Sequence, residues 1–411
     1  MFAVVFLALQ ACLSSLVFSS RFRTIIHQKK LLQVGIFVCV QLLCLFLLLS
    51  SRFNGVRESV LSALRPMLTL PSVTPPESFQ VIGDPGLVRW IEKQGSSLPR
   101  PDFADSDTFR TWQKALRSTL VSNVFQLHDR ALPEPIRVRK VSSVIVRDNI
   151  TRIFLTYESF DGTNIPAYLF VPPTPGHKPA IIVLHGHPWH ENGEGISETA
   201  GLVDSYQHSN ALELARSGYV TLTIEFRGFG YLGSRAQSEH RLVAHNAILG
   251  GSFYKAVLCK DIRYAFEFLR SFEGVNPQRV GITGASLGGE LAVTYAALDE
   301  RIKVVVFQSF GGQVGPEQGI VGQASDQPHY DHIIPNHNVY LYREDMFFLI
   351  APRPLLGVWG DKENAVQPGF RELIGKAYEC LMAPLLVNFV INPGGHEYFN
   401  QPAIEFFKQH L

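Results

Sequence analysis

The stretch RVGITGASLGGELAVTYAAL, residues 279–298, decides the fold. Its short apolar run, 280–283, reads as a buried strand. The chain then turns through Gly284-Ala285-Ser286-Leu287-Gly288 and continues as an apolar helical pattern. A serine at the apex of so tight a turn sits in a strained backbone, and its neighbours must be small for strand and helix to approach. The helix that follows points its N-terminus at the hydroxyl, where its dipole and open N–H groups favour negative charge. A glycine-rich turn in any α/β protein could share these five residues. The flanking strand and helix supply the context that a G-x-S-x-G nucleophile elbow requires.

A serine hydroxyl is a poor nucleophile until a positioned base takes its proton, and the base needs an anionic group to orient it. Downstream, 355–359 reads as a strand followed at once by Gly360-Asp361. Residues 386–391 read as the next strand, and Asn392-Pro393-Gly394-Gly395 turns the chain to His396. Apart from His410, His396 is the only histidine after Asp361. Each alone could be an ordinary loop residue. The order serine, acid, histidine behind an elbow makes Ser286, Asp361 and His396 the candidate nucleophile, acid and base, with Glu363 as the alternative acid. The oxyanion needs two backbone donors. Leu287, after the nucleophile, supplies one. The other is expected from the loop after strand 181–184, His185-Gly186-His187-Pro188. Proline has no N–H, so His187 is the natural donor, and Gly186 lets the backbone come close to substrate.

The same loop carries a rival. His185, His187 and His190 have the spacing H-x-H-x-x-H, which could serve a metal-dependent hydrolase. Trp189 stands where such sites commonly have aspartate, and the elbow serine would be left without a role. Further ligands would have to come from His329, Asp331, His332 and His337, which suit the lining of a mouth better. The expected site therefore uses no metal and no cofactor, and His185, Trp189, His329 and His332 are its candidate substrate contacts.

Outside the elbow the pattern is regular. Residues 138–146, 153–157 and 165–171 read as strands without intervening helices, which predicts an antiparallel start. From residue 180 strands alternate with helices: strands 181–184, 219–226 and 304–307, helices 211–216 and 254–269. Such alternation implies right-handed crossovers and a mostly parallel sheet covered on both faces. Phe109, Trp112, Leu116, Leu120 and Val124 predict an amphipathic helix over 108–127. Between 310 and 342 the pattern breaks into Gly, Gln, His and Pro, a polar insertion near the strand ends, where binding loops gather.

The N-terminus is different. Residues 1–20 and 31–51 contain no charged side chain, and each could cross a bilayer as a helix. Arg21, Arg23, Lys29 and Lys30 lie between them. The positive-inside rule keeps that connection in the cytoplasm and puts the large domain on the extracytoplasmic side, although Arg52, Arg57 and Arg65 pull the other way. A membrane anchor over 1–51, a juxtamembrane segment and Pro-rich linker over 52–78, and one large domain over 79–411 follow. The formal net charge of +1 over 411 residues gives no reason to expect a nucleic-acid partner. Cys259 and Cys380 are too few for a disulfide framework and read as two ordinary thiols.

From Phe109 to the C-terminus, about three quarters of the chain, the sequence resembles the acetyl xylan esterase and dienelactone-hydrolase-like branch of the α/β-hydrolases. The matching pieces are IIVLHGHPW, GYVTLTIEFRGFG, GITGASLGGELA, LIAPRPLLGVWGDKE and NPGGHEYF. The resemblance implies the α/β-hydrolase fold and a triad of Ser286, Asp361 and His396, with the Leu287 and His187 amides as the hole. Two departures stand out. Glu225 replaces a frequent aspartate at a strand end, and serine replaces the cysteine of dienelactone hydrolases proper, which argues for ordinary ester hydrolysis. The two apolar N-terminal spans are not part of the family pattern.

Expected overall is a membrane-anchored serine esterase acting on a small-molecule or carbohydrate ester, with a short acyl group on a polar alcohol. A peptidase or lipid esterase on the same fold, or a catalytically dead hydrolase fold used for binding, are the alternatives.

Overall fold

The computed structural model describes residues 100–411 apart from 129–131, 133–134, 189–194, 234–238, 313–331, 336–342, 364–365 and 367–368. The two N-terminal apolar stretches, the linker, and much of the polar insertion lie outside the described residues. Among the described residues, no helix is long and apolar enough to cross a membrane.

The strands are β1 (Val138–Ile145), β2 (Thr151–Glu158), β3 (Asn164–Val171), β4 (Lys178–Leu184), β5 (Val220–Ile224), β6 (Val275–Ala285), β7 (Val304–Gln308), β8 (Leu355–Gly360) and β9 (Val387–Asn392). They form a nine-stranded sheet in the order β1-β2-β3-β5-β4-β6-β7-β8-β9. Strand β2 pairs antiparallel with β1 and β3, and β3 antiparallel with β5. Every pairing from β5 onward through β4, β6, β7, β8 and β9 is parallel. The sheet is thus mostly parallel with an antiparallel start, as the sequence pattern predicts. Strand β6 begins earlier than its apolar run, because Val275 pairs with Lys178 at the head of β4.

Period-two alternation sends each strand's side chains to two different cores. Ile182, Leu184, Val305 and Phe307 join one buried cluster. Ile181, Val183, Val304 and Val306 join the other. Helices α1 (Ser106–Thr119), α5 (Tyr254–Ser271), α6 (Leu287–Leu298), α7 (Asp345–Ile350) and α8 (Phe370–Cys380) supply the first cluster. Helices α2 (Ile196–Thr199), α3 (Asn210–Arg216) and α9 (Asn400–His410) supply the second. Among the described residues, one further helix, α4 (His240–Leu249), adds Ala244 to the first. Strands buried on both faces explain the continuous apolar runs of the parallel half. Edge strand β1 is exposed along its length, and Arg139 and Lys140 blunt it against pairing with another chain.

The helix expected over 108–127 forms in its first part only. Phe109, Trp112 and Leu116 face the core, and Asp105 caps the start by accepting from the N–H groups of Asp107 and Thr108. From Leu120 to Val124 the turn widens to a π-helix, closed by Phe125 N–H on the Leu120 carbonyl at 2.8 Å. The wider turn keeps Phe125 on the buried side with Leu120. Gln113 donates to the carbonyls of Phe348 and Ala351, fastening α1 to the end of α7. Cys259 is buried, Cys380 half-buried, and both are free thiols.

Candidate active site

Ser286 sits between β6 and α6 at φ 57°, ψ −125°, a region that few side-chain-bearing residues occupy. The reason is crowding. A Cβ on Gly284 would lie 2.4 Å from the Gly288 carbonyl carbon, and one on Gly288 would lie 2.1 Å from the Leu184 oxygen. Only glycine on both sides lets the elbow press against the end of β4. Gln308, buried at the end of β7, takes the Ser286 N–H on its carbonyl at 2.9 Å. Its side chain meanwhile binds the backbone of Phe399 in both directions, at 2.7 and 3.1 Å. One residue therefore ties the serine turn to the loop that carries His396.

His396 lies on the loop after β9, as the sequence predicts, but its carboxylate partner is Glu363 and not Asp361. Nδ1 of His396 donates to Glu363 Oε1 at 2.6 Å. The other oxygen of Glu363 accepts from Gly360 N–H and the Ser309 hydroxyl, at 2.9 and 3.0 Å. The correction has a simple cause. The β8–β9 ladder runs on through Asp361, whose N–H reaches the Asn392 carbonyl at 2.8 Å. Its carboxylate, on an exposed residue, accepts from Gly394 N–H at 3.0 Å. Glu363 then closes a turn onto the Gly360 carbonyl at 3.2 Å, which brings its side chain back beneath the imidazole. The Glu363 side chain is 8% exposed, so its charge is held by donors instead of by water.

Tyr206, which no motif singles out, joins these parts. Its hydroxyl donates to the His187 carbonyl at 2.8 Å and meets the Ser286 side chain. Its ring centroid is 5.8 Å from that of His396. Its own carbonyl accepts the Tyr398 N–H at 2.8 Å, so its loop is stitched to the histidine loop. Burial, reinforced by the charge of Glu198, pushes the phenol well above its ordinary range and keeps it a donor. Gly186 is needed here, because a Cβ would fall 2.1 Å from the Tyr206 hydroxyl. The loop after β4 thus lies against the elbow, with His187 beside Ser286 and Leu287 opening α6, whose first N–H groups have no acceptor within the helix.

The remaining candidates divide. His185 is fully buried, and both ring nitrogens are engaged by backbone. Nε2 accepts from Phe226 N–H at 3.1 Å, and Nδ1 faces the Gly186 carbonyl at 2.9 Å. It is a structural residue, contrary to the expectation that it touches substrate, and it has no nitrogen left for the H-x-H-x-x-H metal reading. Glu225 is likewise structural: it accepts from Ile196 and Tyr231 N–H groups and holds the loops on either side. His332 lies near His187, the two ring centroids 5.7 Å apart. It is anchored by Nδ1 to Glu290 Oε2 at 2.6 Å, while Lys255 binds both the His332 carbonyl and Glu290. Trp189, His190 and His329 lie outside the described residues.

The family model for acetyl xylan esterase (AXE1) matches residues 138–309. YtaP of Bacillus subtilis (strain 168), named as a hydrolase, is 32% identical over 198 residues, 47% of this chain and 64% of that protein. The chain therefore spans a little under two thirds of this relative's length. Among solved structures, a Bacteroides fragilis NCTC 9343 protein named as an acetyl xylan esterase superposes with a TM-score of 0.63 at 14% identity, over 81% of this chain and 91% of that one. A glucuronoyl esterase from Solibacter usitatus superposes with a TM-score of 0.55 at 15% identity, over 77% and 99%. The described chain has an α/β-hydrolase fold, and its residues 138–309 match the acetyl xylan esterase family.

Proposed function

We propose that this chain is a serine carboxylic ester hydrolase in which Ser286, His396 and Glu363 form the triad. The observation that carries the reading is the 2.6 Å bond from His396 Nδ1 to Glu363, with a single side chain, Tyr206, reaching both the histidine ring and Ser286. With Nδ1 committed, Nε2 is the nitrogen that takes the Ser286 proton. Oγ adds to the ester carbonyl, and the oxyanion is held by the Leu287 and His187 N–H groups. Collapse of that intermediate breaks the acyl C–O bond, and His396 returns the proton to the departing alkoxide. Water then repeats the sequence on the acyl-serine and frees the acid. Glu363 keeps the imidazole in one tautomer and stabilises its protonated form; it does not itself accept the proton.

A short acyl group on a polar alcohol is the substrate class. The polar sequence of the insertion at 310–342 supports it, since a lid for long acyl chains would present an apolar face. The name of the matching family model, acetyl xylan esterase, points the same way. With p-nitrophenyl esters, acetyl and butyryl should be cleaved with higher kcat/KM than dodecanoyl. A rate that climbs with chain length past about eight carbons would favour a lipid ester instead. The charge-free stretches 1–20 and 31–51 support membrane anchorage with the domain on the extracytoplasmic side. The full chain should resist carbonate extraction, and protease added to intact cells should reach the domain.

A further inference from the structure

Strand β1 (Val138–Ile145) stands at the start of the sheet, and among the described residues its ladder joins β2 alone. Every residue of it is exposed. Four are apolar, Val138, Val141, Val144 and Ile145, from 38% exposed at Val138 to 66% at Ile145. Exposed apolar residues scattered singly are ordinary, but four on one edge strand form a patch, and such patches mark interaction surfaces. The register shows how they are displayed. Residues opposite one another share a face. Val138 therefore stands with Tyr157 and Ile145 with Thr151 on one face, and Val144 with Arg152 on the other. Val141 falls at the break in register between Lys140 and Ser142, where it has no partner across the ladder.

The same strand is basic. Residues 136–147, IRVRKVSSVIVR, hold Arg137, Arg139, Lys140 and Arg147 and no acid, in a chain whose formal net charge is only +1. Arg137 pairs with Glu158 at 3.3 Å, and Asp148, the acid that follows the run, is taken by Arg216. Among the described residues, Arg139 and Lys140 have no acid partner. They point to opposite faces, Arg139 across from Thr156 and Lys140 across from Leu155. Both faces of the edge thus present a cation beside apolar carbon. A second copy of this chain added edge to edge would bring two basic strands together and leave the side chains of both faces in water. A nucleic acid would answer the cations but not the valines and the isoleucine. A bilayer with anionic headgroups answers both. Aliphatic side chains enter the headgroup boundary, while Arg and Lys stems lie along it and carry their charges to the phosphates.

We propose that β1 is a lipid-contacting edge, which lies against an anionic bilayer with Arg139 and Lys140 on the headgroups and Val141, Val144 and Ile145 in the boundary beneath them. No residue of β1 belongs to the triad or the oxyanion hole, so this contact stands or falls apart from the esterase reading.

The test is hydrogen–deuterium exchange on the full chain in lipid nanodiscs, one set of neutral phosphatidylcholine and one with about a third phosphatidylglycerol. Exchange is read peptide by peptide, so insertion of residues 1–51 does not count toward the result. Peptides covering 138–145 should exchange at least about fivefold more slowly on anionic discs than on neutral ones, and the difference should collapse at about 1 M salt. Arg139→Glu/Lys140→Glu should abolish it, with exchange in β4, β6 and β7 unchanged as the sign of an intact fold. Arg139→Gln/Lys140→Gln, which adds no charge to the edge, should abolish most of it. Equal exchange on the two kinds of disc would overturn the proposal, as would undiminished slowing in either charge variant or in Val144→Ser/Ile145→Ser. Slowing that appears without lipid and grows with protein concentration would overturn it in favour of strand pairing between copies. Slowing by a duplex oligonucleotide that matches the anionic discs would overturn it in favour of a polyanion site.

Discussion

The Glu363 carboxylate lies 2.6 Å from Nδ1 of His396 and accepts two further bonds, from Gly360 N–H and the Ser309 hydroxyl. Asp361, two residues earlier, binds the backbone at Gly394 instead. The two acids can be separated by substitution. Glu363→Gln keeps the shape but presents an amide to Nδ1, and should lower kcat by about 10²- to 10⁴-fold with KM little changed. Asp361→Asn removes only the charge from a turn contact and should cost less than about tenfold. Steady-state kinetics on p-nitrophenyl acetate decides between them: a larger loss in Asp361→Asn would restore Asp361 as the acid.

Tyr206 fixes the His187 carbonyl and touches Ser286 without supplying charge. Tyr206→Phe preserves the ring against His396 and deletes the hydroxyl. The loop carrying the His187 amide should then lose its register on the oxyanion. The expected result is a fall in kcat of about ten- to a hundredfold at nearly constant KM, measured by stopped-time assays across substrate concentration. A rise in KM alone would mean that Tyr206 binds substrate and does not position the loop.

How far the sequence could carry these assignments differs by residue. The elbow was legible because its determinants are local: Gly284, Ser286 and Gly288 lie within five positions, and the strand and helix flank them. The place of His396, on the loop after β9, was legible by order along the chain. The carboxylate that pairs with its imidazole was not, because the choice between Asp361 and Glu363 depends on which side chain a four-residue turn swings back under the ring. Order along the chain is the same for both. Tyr206 and Gln308 carry no motif; their roles arise where separate loops meet. His185 misled because His187, two positions on, is held by the Tyr206 hydroxyl, while His185 turns its ring into the core against Phe226. Glu290, which no motif singles out, is buried one turn after Ser286.

That burial gives a pH prediction. Burial alone would raise the Glu290 carboxyl, but Lys255 and His332, with a smaller contribution from Arg343, outweigh it and hold it at about 2, below its ordinary 4.5. A carboxyl depressed in the folded state stabilises the protein fully above the unfolded value, and the stabilisation is lost as pH falls toward the folded value. Wild-type stability should therefore drop between pH 4.5 and 2 more steeply than that of the double variant Lys255→Met/Glu290→Leu. Glu290→Gln alone should cost about 3–5 kcal/mol at pH 7, because Lys255 stays buried without its carboxylate. Denaturant midpoints across pH check both, and matching slopes in wild type and double variant would show that Glu290 is not the group being lost.

The central claim is that Ser286 carries the acyl group. A fluorophosphonate probe should label the wild-type chain at one site, with the adduct on the peptide containing Ser286, and abolish p-nitrophenyl acetate hydrolysis in proportion to labelling. Ser286→Ala should keep the fold, take up no probe, and lose at least about three orders of magnitude in rate, leaving what the oxyanion hole and binding alone supply. Labelling elsewhere, or an Ser286→Ala rate above about a tenth of wild type, would contradict the account.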